Sequence, residues 1–161
     1  MTDSVNIQLA DGSAKTPDVQ QIRSWVSAVF TALERSPLAL TIRVVGEEEM
    51  AELNRRYRGR NQPTNVLSFP IEPLPDMCTD LLGDIVVCGP VVDREATIQH
   101  KPLIGHWAHM VVHGLLHLFG YDHENDQKAT AMETLEKSVL ERLGYSDPYH
   151  GEHDSGTKLH A

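Results

Sequence analysis

The sequence predicts a single α+β domain with one mixed β-sheet covered by about five helices. Short runs typical of strands alternate with segments of helical periodicity, and three helical segments then follow one another towards the carboxyl end. With 161 residues, 40% of them hydrophobic, the chain is large enough to bury one core. We expect the domain to span residues 1–149 and residues 150–161 to form a disordered tail, because this tail contains a single large apolar residue, Leu159.

The amino-terminal part predicts a strand, a helix and a second strand. Residues 5–9 alternate apolar and polar side chains, as in a strand. Thr16 and Pro17 are expected to begin the first helix as its N-cap and first-turn proline, and apolar residues then recur at helical spacing as far as Leu33. Residues 40–44 alternate again and predict a half-buried strand.

The middle of the chain predicts a short helix and two more strands. Residues 47–57 begin with acidic side chains, which favour a helix N-terminus, and 58–64 has the composition of a loop. Residues 66–71 predict a strand, the proline-rich segment 72–83 a long connection, and 84–88 a further strand.

Three helices are predicted after the last strand. Residues 90–100 begin with a proline and predict a short helix. Residues 103–119 are apolar almost all round, as expected of a helix buried in the middle of a domain, and Gly120 is placed to end it. The last helix is predicted over 126–143, with Gly144 as its stop.

The composition of the chain limits which cellular compartment and which binding partners we expect. The formal net charge is −9, which repels polyanions and gives no reason to expect membrane adhesion, so any nucleic-acid site must be local. The amino terminus lacks a basic and an apolar signal region, and no stretch is apolar and long enough to cross a bilayer. We expect a cytoplasmic protein in which Cys78 and Cys88 are reduced thiols.

The segment HGLLHLFGYDH carries a histidine constellation typical of a metal site. His113 and His117 are four residues apart on the predicted buried helix, so both imidazoles project from one face. Gly120 lets the backbone turn back, and His123 supplies a third nitrogen from the loop. Three nitrogen ligands leave a fourth position open, which is the pattern of a catalytic zinc site, although nickel or copper would also bind. His109, one turn upstream of His113, is a candidate to support the ligands or to pack in the core.

A cation in such a site favours hydrolysis, because it acts as a Lewis acid and activates water. The spacing of the three histidines is also that of the metzincin proteases. In those enzymes a glutamate follows the first histidine, whereas here the residue is Gly114, which argues against peptide hydrolysis. Asp122 and Glu124 flank His123 and could handle protons, cap a helix or accept a hydrogen bond from a ligating histidine.

Four arginines stand within the six residues RRYRGR of this acidic chain. Guanidinium groups match phosphate geometry, and Tyr57 offers a surface on which a base could stack. Cations at a helix end are also favoured by the helix dipole alone. A phosphodiester substrate would favour the functional interpretation, since an arginine beside the metal could stabilise charge that develops on phosphorus.

The segments YRGRNQPTNVLSFPIE, LLGDIVV and HWAHMVVHGLLHLFGYDHENDQ closely resemble the YbeY family of bacterial rRNA-maturation endoribonucleases. The resemblance implies a metal-dependent endoribonuclease specific for single strands, acting on the 3′ end of 16S rRNA, in ribosome quality control and in RNA turnover. It implies one metal ion per chain on His113, His117 and His123, a functional arginine at Arg58, and contact with small-subunit ribosomal components. DNA is not an expected substrate.

Two other functions remain open from the residues alone. In a zincin-like metalloprotease, the strand VLSFP would bind an extended peptide beside the metal. In a ribosome-associated binding protein, the metal would be structural, which the open fourth ligand position disfavours.

Overall fold

The computed structural model describes residues 5–10, 15–71 and 81–146 of the chain, and within them four strands and five helices. The elements in chain order are β1 (Val5–Leu9), α1 (Val19–Ala32), β2 (Ala39–Val45), α2 (Glu47–Arg58), β3 (Val66–Pro70), β4 (Leu81–Cys88), α3 (Gly89–Ile98), α4 (Leu103–Leu118) and α5 (Asp126–Arg142). The order of strands and helices is the one predicted from the sequence, and the α+β class with one mixed sheet is confirmed.

The four strands form one sheet in the order β1-β2-β4-β3. β1, β2 and β4 are parallel, with Ile7 opposite Ile42 and Ile42 opposite Ile85, whereas β3 runs antiparallel to β4. Helical crossovers connect the parallel strands. β3, which lies between α2 and β4 in the chain, pairs with β4 at the edge of the sheet.

Helices bury both faces of the sheet. Alternate residues of β2 and β4, such as Ile42 and Ile85, contribute to the main core together with α1, α4 and α5. The opposite face, with Val86 and Cys88, meets Met50 of α2 and Val91 of α3 in a smaller core. α4 has eleven buried residues, as its apolar sequence predicts, and therefore lies in the middle of the domain.

Two boundaries differ from the sequence predictions. Asp18, not Thr16, is the N-cap of α1, because its side chain accepts a hydrogen bond of 3.1 Å from the backbone N–H of Gln20. β4 begins at Leu81 rather than at residue 84, since it pairs with β2 and β3 through Gly83. Gly83 has φ 152°, and a Cβ there would lie 2.5 Å from the carbonyl oxygen of Phe69, so glycine permits the pairing instead of breaking the strand.

Some predictions lie outside the described residues, namely those on Cys78 and on the tail 150–161. Cys88 is fully buried. Among the helices that the structure describes, none has both the length and the apolar character needed to cross a membrane.

Candidate metal centre

The structure brings His113, His117 and His123 together. His113 and His117 project from the last two turns of α4, and their Nε2 atoms are 3.1 Å apart. His123 returns from the following loop, where its ring stacks on that of His113 with centroids 5.5 Å apart. One ligand atom from each histidine lies within 4.8 Å of the other two, so the three can hold one ion.

The turn after α4 positions His123. The helix ends at the C-cap Phe119, and Gly120 takes φ 97°, a left-handed conformation that glycine adopts without strain. The N–H of Tyr121 donates to the carbonyl of Leu116 over 3.1 Å, which closes the helix end. The chain therefore doubles back within a few residues, as the sequence predicts for Gly120.

Glu136 supports His113 from α5 and was not predicted as a functional residue. Its carboxylate is completely buried, and its Oε2 accepts a hydrogen bond from His113 Nδ1 at 2.5 Å. The available signal was its position between Met132 and Val139 on the apolar face of α5, where a charged residue needs a buried partner. A carboxylate behind a ligating histidine fixes the orientation of the ring and raises its basicity.

The hydrogen bond to Glu136 assigns the tautomer of His113. His113 carries its proton on Nδ1 towards Glu136, which leaves the lone pair on its Nε2 free to bind a cation. That Nε2 lies 3.1 Å from Nε2 of His117. Nitrogens that share a tetrahedral zinc ion lie about 3.3 Å apart, so the spacing of these two nitrogens fits a shared cation.

The electrostatics of the site keep His117 in the form that binds a cation. Burial, together with His113 and His123 nearby, lowers the pKa of His117 to about 4, so its imidazole is neutral at pH 7. Burial by itself would raise the pKa of Glu136, but hydrogen bonds from His109 and His113 hold that pKa well below its usual range. The centre thus combines the neutral imidazole of His117 with one buried negative charge on Glu136.

His109 contacts the same carboxylate. Its Nε2 lies 3.5 Å from Glu136 Oε1, and burial lowers its pKa despite this neighbour. This contact places His109 behind Glu136, as the first of the two roles predicted for it requires.

One turn further up α4, His106 bonds Glu95 of α3 at 2.9 Å, and Asn65 donates to both oxygens of Glu95. A line of buried and half-buried polar groups thus ties α4 to α3, to α5 and to the residue that precedes β3.

Gly114 allows α4 to pack closely on the sheet. A Cβ at this position would lie 3.0 Å from Ile85 Cγ2, 3.1 Å from Val66 Cγ2 and 3.3 Å from Ser68 Oγ. The hydroxyl of Ser68 also donates to the Gly114 carbonyl over 2.8 Å. The space that the glutamate of a metzincin would need is therefore filled by strands β3 and β4, which strengthens the argument against peptide hydrolysis.

Arg58 is the last residue of α2 and is exposed. In the part of the chain that the structure describes, its guanidinium makes no hydrogen bond or ion pair, whereas Arg55 pairs with Glu52. The adjoining Tyr57 is 62% exposed, and its ring contacts the edge of Phe69 in β3 with centroids 5.0 Å apart. Tyr57 thus packs on the face of β3 opposite to the one that Gly114 of α4 contacts through Val66 and Ser68.

Asp122 and Glu124 have local partners. Asp122 Oδ1 accepts from the N–H of Glu124 at 3.0 Å, and Glu124 binds Lys128 at 3.1 Å. Asn125 then caps α5 by accepting from the N–H of Lys128. The helix cap that the sequence predicts for the acidic pair as one possibility is therefore supplied by Asn125 and not by Asp122 or Glu124.

Comparisons with known proteins agree on one family. A family model described as Endoribonuclease YbeY matches residues 6–144. A curated relative named Endoribonuclease YbeY, from Cellvibrio japonicus, is 46% identical over 145 residues, covering 90% of this chain and 82% of the relative. The solution structure of TM1509 from Thermotoga maritima has a TM-score of 0.60 at 27% identity and covers 94% of this chain and 93% of its own.

Proposed function

Because the chain belongs to the YbeY family of endoribonucleases, we propose that it cleaves single-stranded RNA with one divalent cation held by His113, His117 and His123. The observation that carries the proposal is the convergence of one ligand atom from each of the three histidines within 4.8 Å, with the Nε2 atoms of His113 and His117 3.1 Å apart. The protein is a hydrolytic nuclease with a role in rRNA processing.

Zinc is the cation that we propose, one ion per chain. Three imidazole nitrogens and a free fourth position suit zinc, and the same donors accept nickel or copper. When bound, the cation polarises a substrate oxygen and lowers the pKa of a bound water molecule.

The residues of the chain supply orientation and charge. Glu136 holds the proton on His113 Nδ1, which keeps Nε2 free as a ligand atom. We assign to Arg58 the stabilisation of charge on the phosphodiester, because its guanidinium is exposed and has no acidic partner among the described residues.

The natural substrate in this proposal is the 3′ end of 16S rRNA, reached in contact with small-subunit components in the cytoplasm. Ribosome quality control and RNA turnover belong to the same proposal, as does a catalytic domain over residues 1–149. DNA is not proposed as a substrate. The net charge of −9 fits an enzyme whose RNA contacts are confined to a local patch.

One preparation tests this function against the protease alternative. Metal-loaded protein is assayed on a single-stranded RNA oligonucleotide, on its duplex form and on casein, with a chelator-treated sample as the control. We expect cleavage of the single strand alone, lost after chelation and restored by zinc. Casein hydrolysis that disappears in His117→Ala, with no RNA cleavage, would contradict the proposal.

A further inference from the structure

A small open cleft lies at the carboxyl ends of α1 and α4. It has a volume of about 220 Å³ and is lined by Leu33, Arg35, Phe119, Gly120 and Tyr121. Drug-sized ligands occupy pockets of about 300–1,000 Å³, so this cleft suits one planar ring system and not a larger molecule. A Cβ at Gly120 would meet nothing within 4 Å, which leaves that wall of the cleft open.

The cleft and the proposed metal centre share one stretch of backbone. Tyr121, which lines the cleft, stands two residues before His123. Gly120 donates its N–H to the His117 carbonyl over 3.0 Å. A group bound in the cleft would therefore contact residues that are within a few positions of His117 and His123 in the sequence.

Arg35 gives the cleft its chemical character. Its guanidinium lies over the ring of Phe119, with Cζ 5.0 Å from the ring centroid, and Phe30 supports that ring from the side at 5.6 Å. Arg35 is exposed and makes no ion pair with any residue that the structure describes, although the chain has a net charge of −9. The outer face of a guanidinium in this position can stack on a planar base, and its N–H groups can donate to base or phosphate oxygens.

We propose that this cleft binds one nucleobase of the RNA substrate, stacked on Arg35 above Phe119, close to the phosphodiester that is cleaved. The inference rests on the proposed function and extends it with a second RNA contact, separate from the arginines of α2. A cleft for one unpaired base also explains a preference for single strands, because a paired base is not available for such stacking.

The first test uses ligands that lack phosphate and therefore do not compete for the cation. Adenosine, guanosine, cytidine and uridine are titrated separately into metal-loaded, ¹⁵N-labelled protein, and amide shifts are recorded. We expect at least one nucleoside to shift the amides of Arg35, Gly120 and Tyr121. The shifts should be lost in Arg35→Ala and kept in Arg142→Ala, a control that removes an exposed arginine from α5. If no nucleoside shifts these amides, or if Arg35→Ala retains the shifts, the inference is overturned.

The second test separates binding from chemistry. With a short single-stranded RNA, Arg35→Ala should raise KM about tenfold, within the range for loss of one stacking partner, and change kcat by less than about twofold. Arg142→Ala should leave both constants near the wild-type values. Equal KM in the two variants would refute the cleft as an RNA subsite even if the wild type cleaves RNA. Absence of RNA cleavage by the wild type would instead refute the proposed function. The nucleoside titration would then decide on its own whether the cleft binds a base.

Discussion

Replacing Glu136 with glutamine removes the charge behind His113 but keeps a side chain of the same shape and a hydrogen-bond acceptor. The wild-type carboxylate is fully buried, bonds His113 Nδ1 at 2.5 Å and lies 3.5 Å from His109 Nε2. Loss of a carboxylate behind a ligating histidine weakens metal binding about 10- to 100-fold, which corresponds to about 1.4–2.7 kcal/mol. We expect Glu136→Gln to lose zinc affinity by this factor.

The stability of the metal-free protein should also fall. The folded state holds the pKa of Glu136 well below its usual range and so favours the carboxylate over a neutral group, and Glu136→Gln should therefore lower the free energy of unfolding at pH 7. Glu136→Ala in addition leaves a cavity and an unpaired His113 Nδ1 and should cost about 2 kcal/mol or more.

The assay for Glu136→Gln is a competition titration with a chelating indicator, accompanied by urea unfolding of the metal-free forms. Glu141→Gln, an exposed change on the same helix, is the control. Equal zinc affinity in Glu136→Gln and wild type would refute the role assigned to this carboxylate.

Three further predictions address other parts of the site. Arg58→Ala should keep zinc and fold while slowing cleavage of saturating single-stranded RNA about a hundredfold or more, with partial rescue by Arg58→Lys; an unchanged rate at full metal occupancy would remove Arg58 from the mechanism. Gly114→Ala should lower the melting temperature, because overpacking against β3 and β4 costs about 1–3 kcal/mol and the gain in helix propensity is only about 0.5–1 kcal/mol. An unchanged or higher melting temperature would contradict the packing argument. The pKa of His117 falls to about 4 on folding, so the unfolded chain binds more protons than the folded chain between about pH 6.5 and 4. The metal-free protein should therefore lose stability as the pH falls through this range. A melting temperature that does not change with pH would argue against a buried neutral imidazole.

Local sequence patterns were sufficient to predict the order of helices and strands and the grouping of the three histidines. The alternation of Leu40, Ile42 and Val44 reflects burial of one face of β2, and the structure buries all three. The i, i+4 spacing of His113 and His117 fixes their common face by helix geometry alone. Gly120 acts in the structure as predicted, since its positive φ ends α4 and turns the chain towards His123.

Sequence predictions failed, or could not be made, where contacts between residues distant in the sequence determine the structure. Gly83 was interpreted as part of a connection, but strand pairing with β2 and β3 on both sides holds it in β4. Glu136 lies 23 positions from His113, and no local rule connects an acidic residue on an apolar helix face with a particular histidine. The order β1-β2-β4-β3 likewise depends on tertiary packing and was not predicted.

The central claim, that His113, His117 and His123 hold the cation on which RNA cleavage depends, is tested most directly by measuring metal content and cleavage on the same samples. Metal-free wild type is titrated with zinc, and bound metal and single-strand cleavage are recorded at each step beside His113→Ala, His117→Ala and His123→Ala. We expect wild-type activity to rise with bound zinc and to level off at about one equivalent per chain, and each variant to lose tight binding and activity together. A variant that keeps one full equivalent of tightly bound zinc, or a metal-free wild type that cleaves at the loaded rate, would contradict the claim.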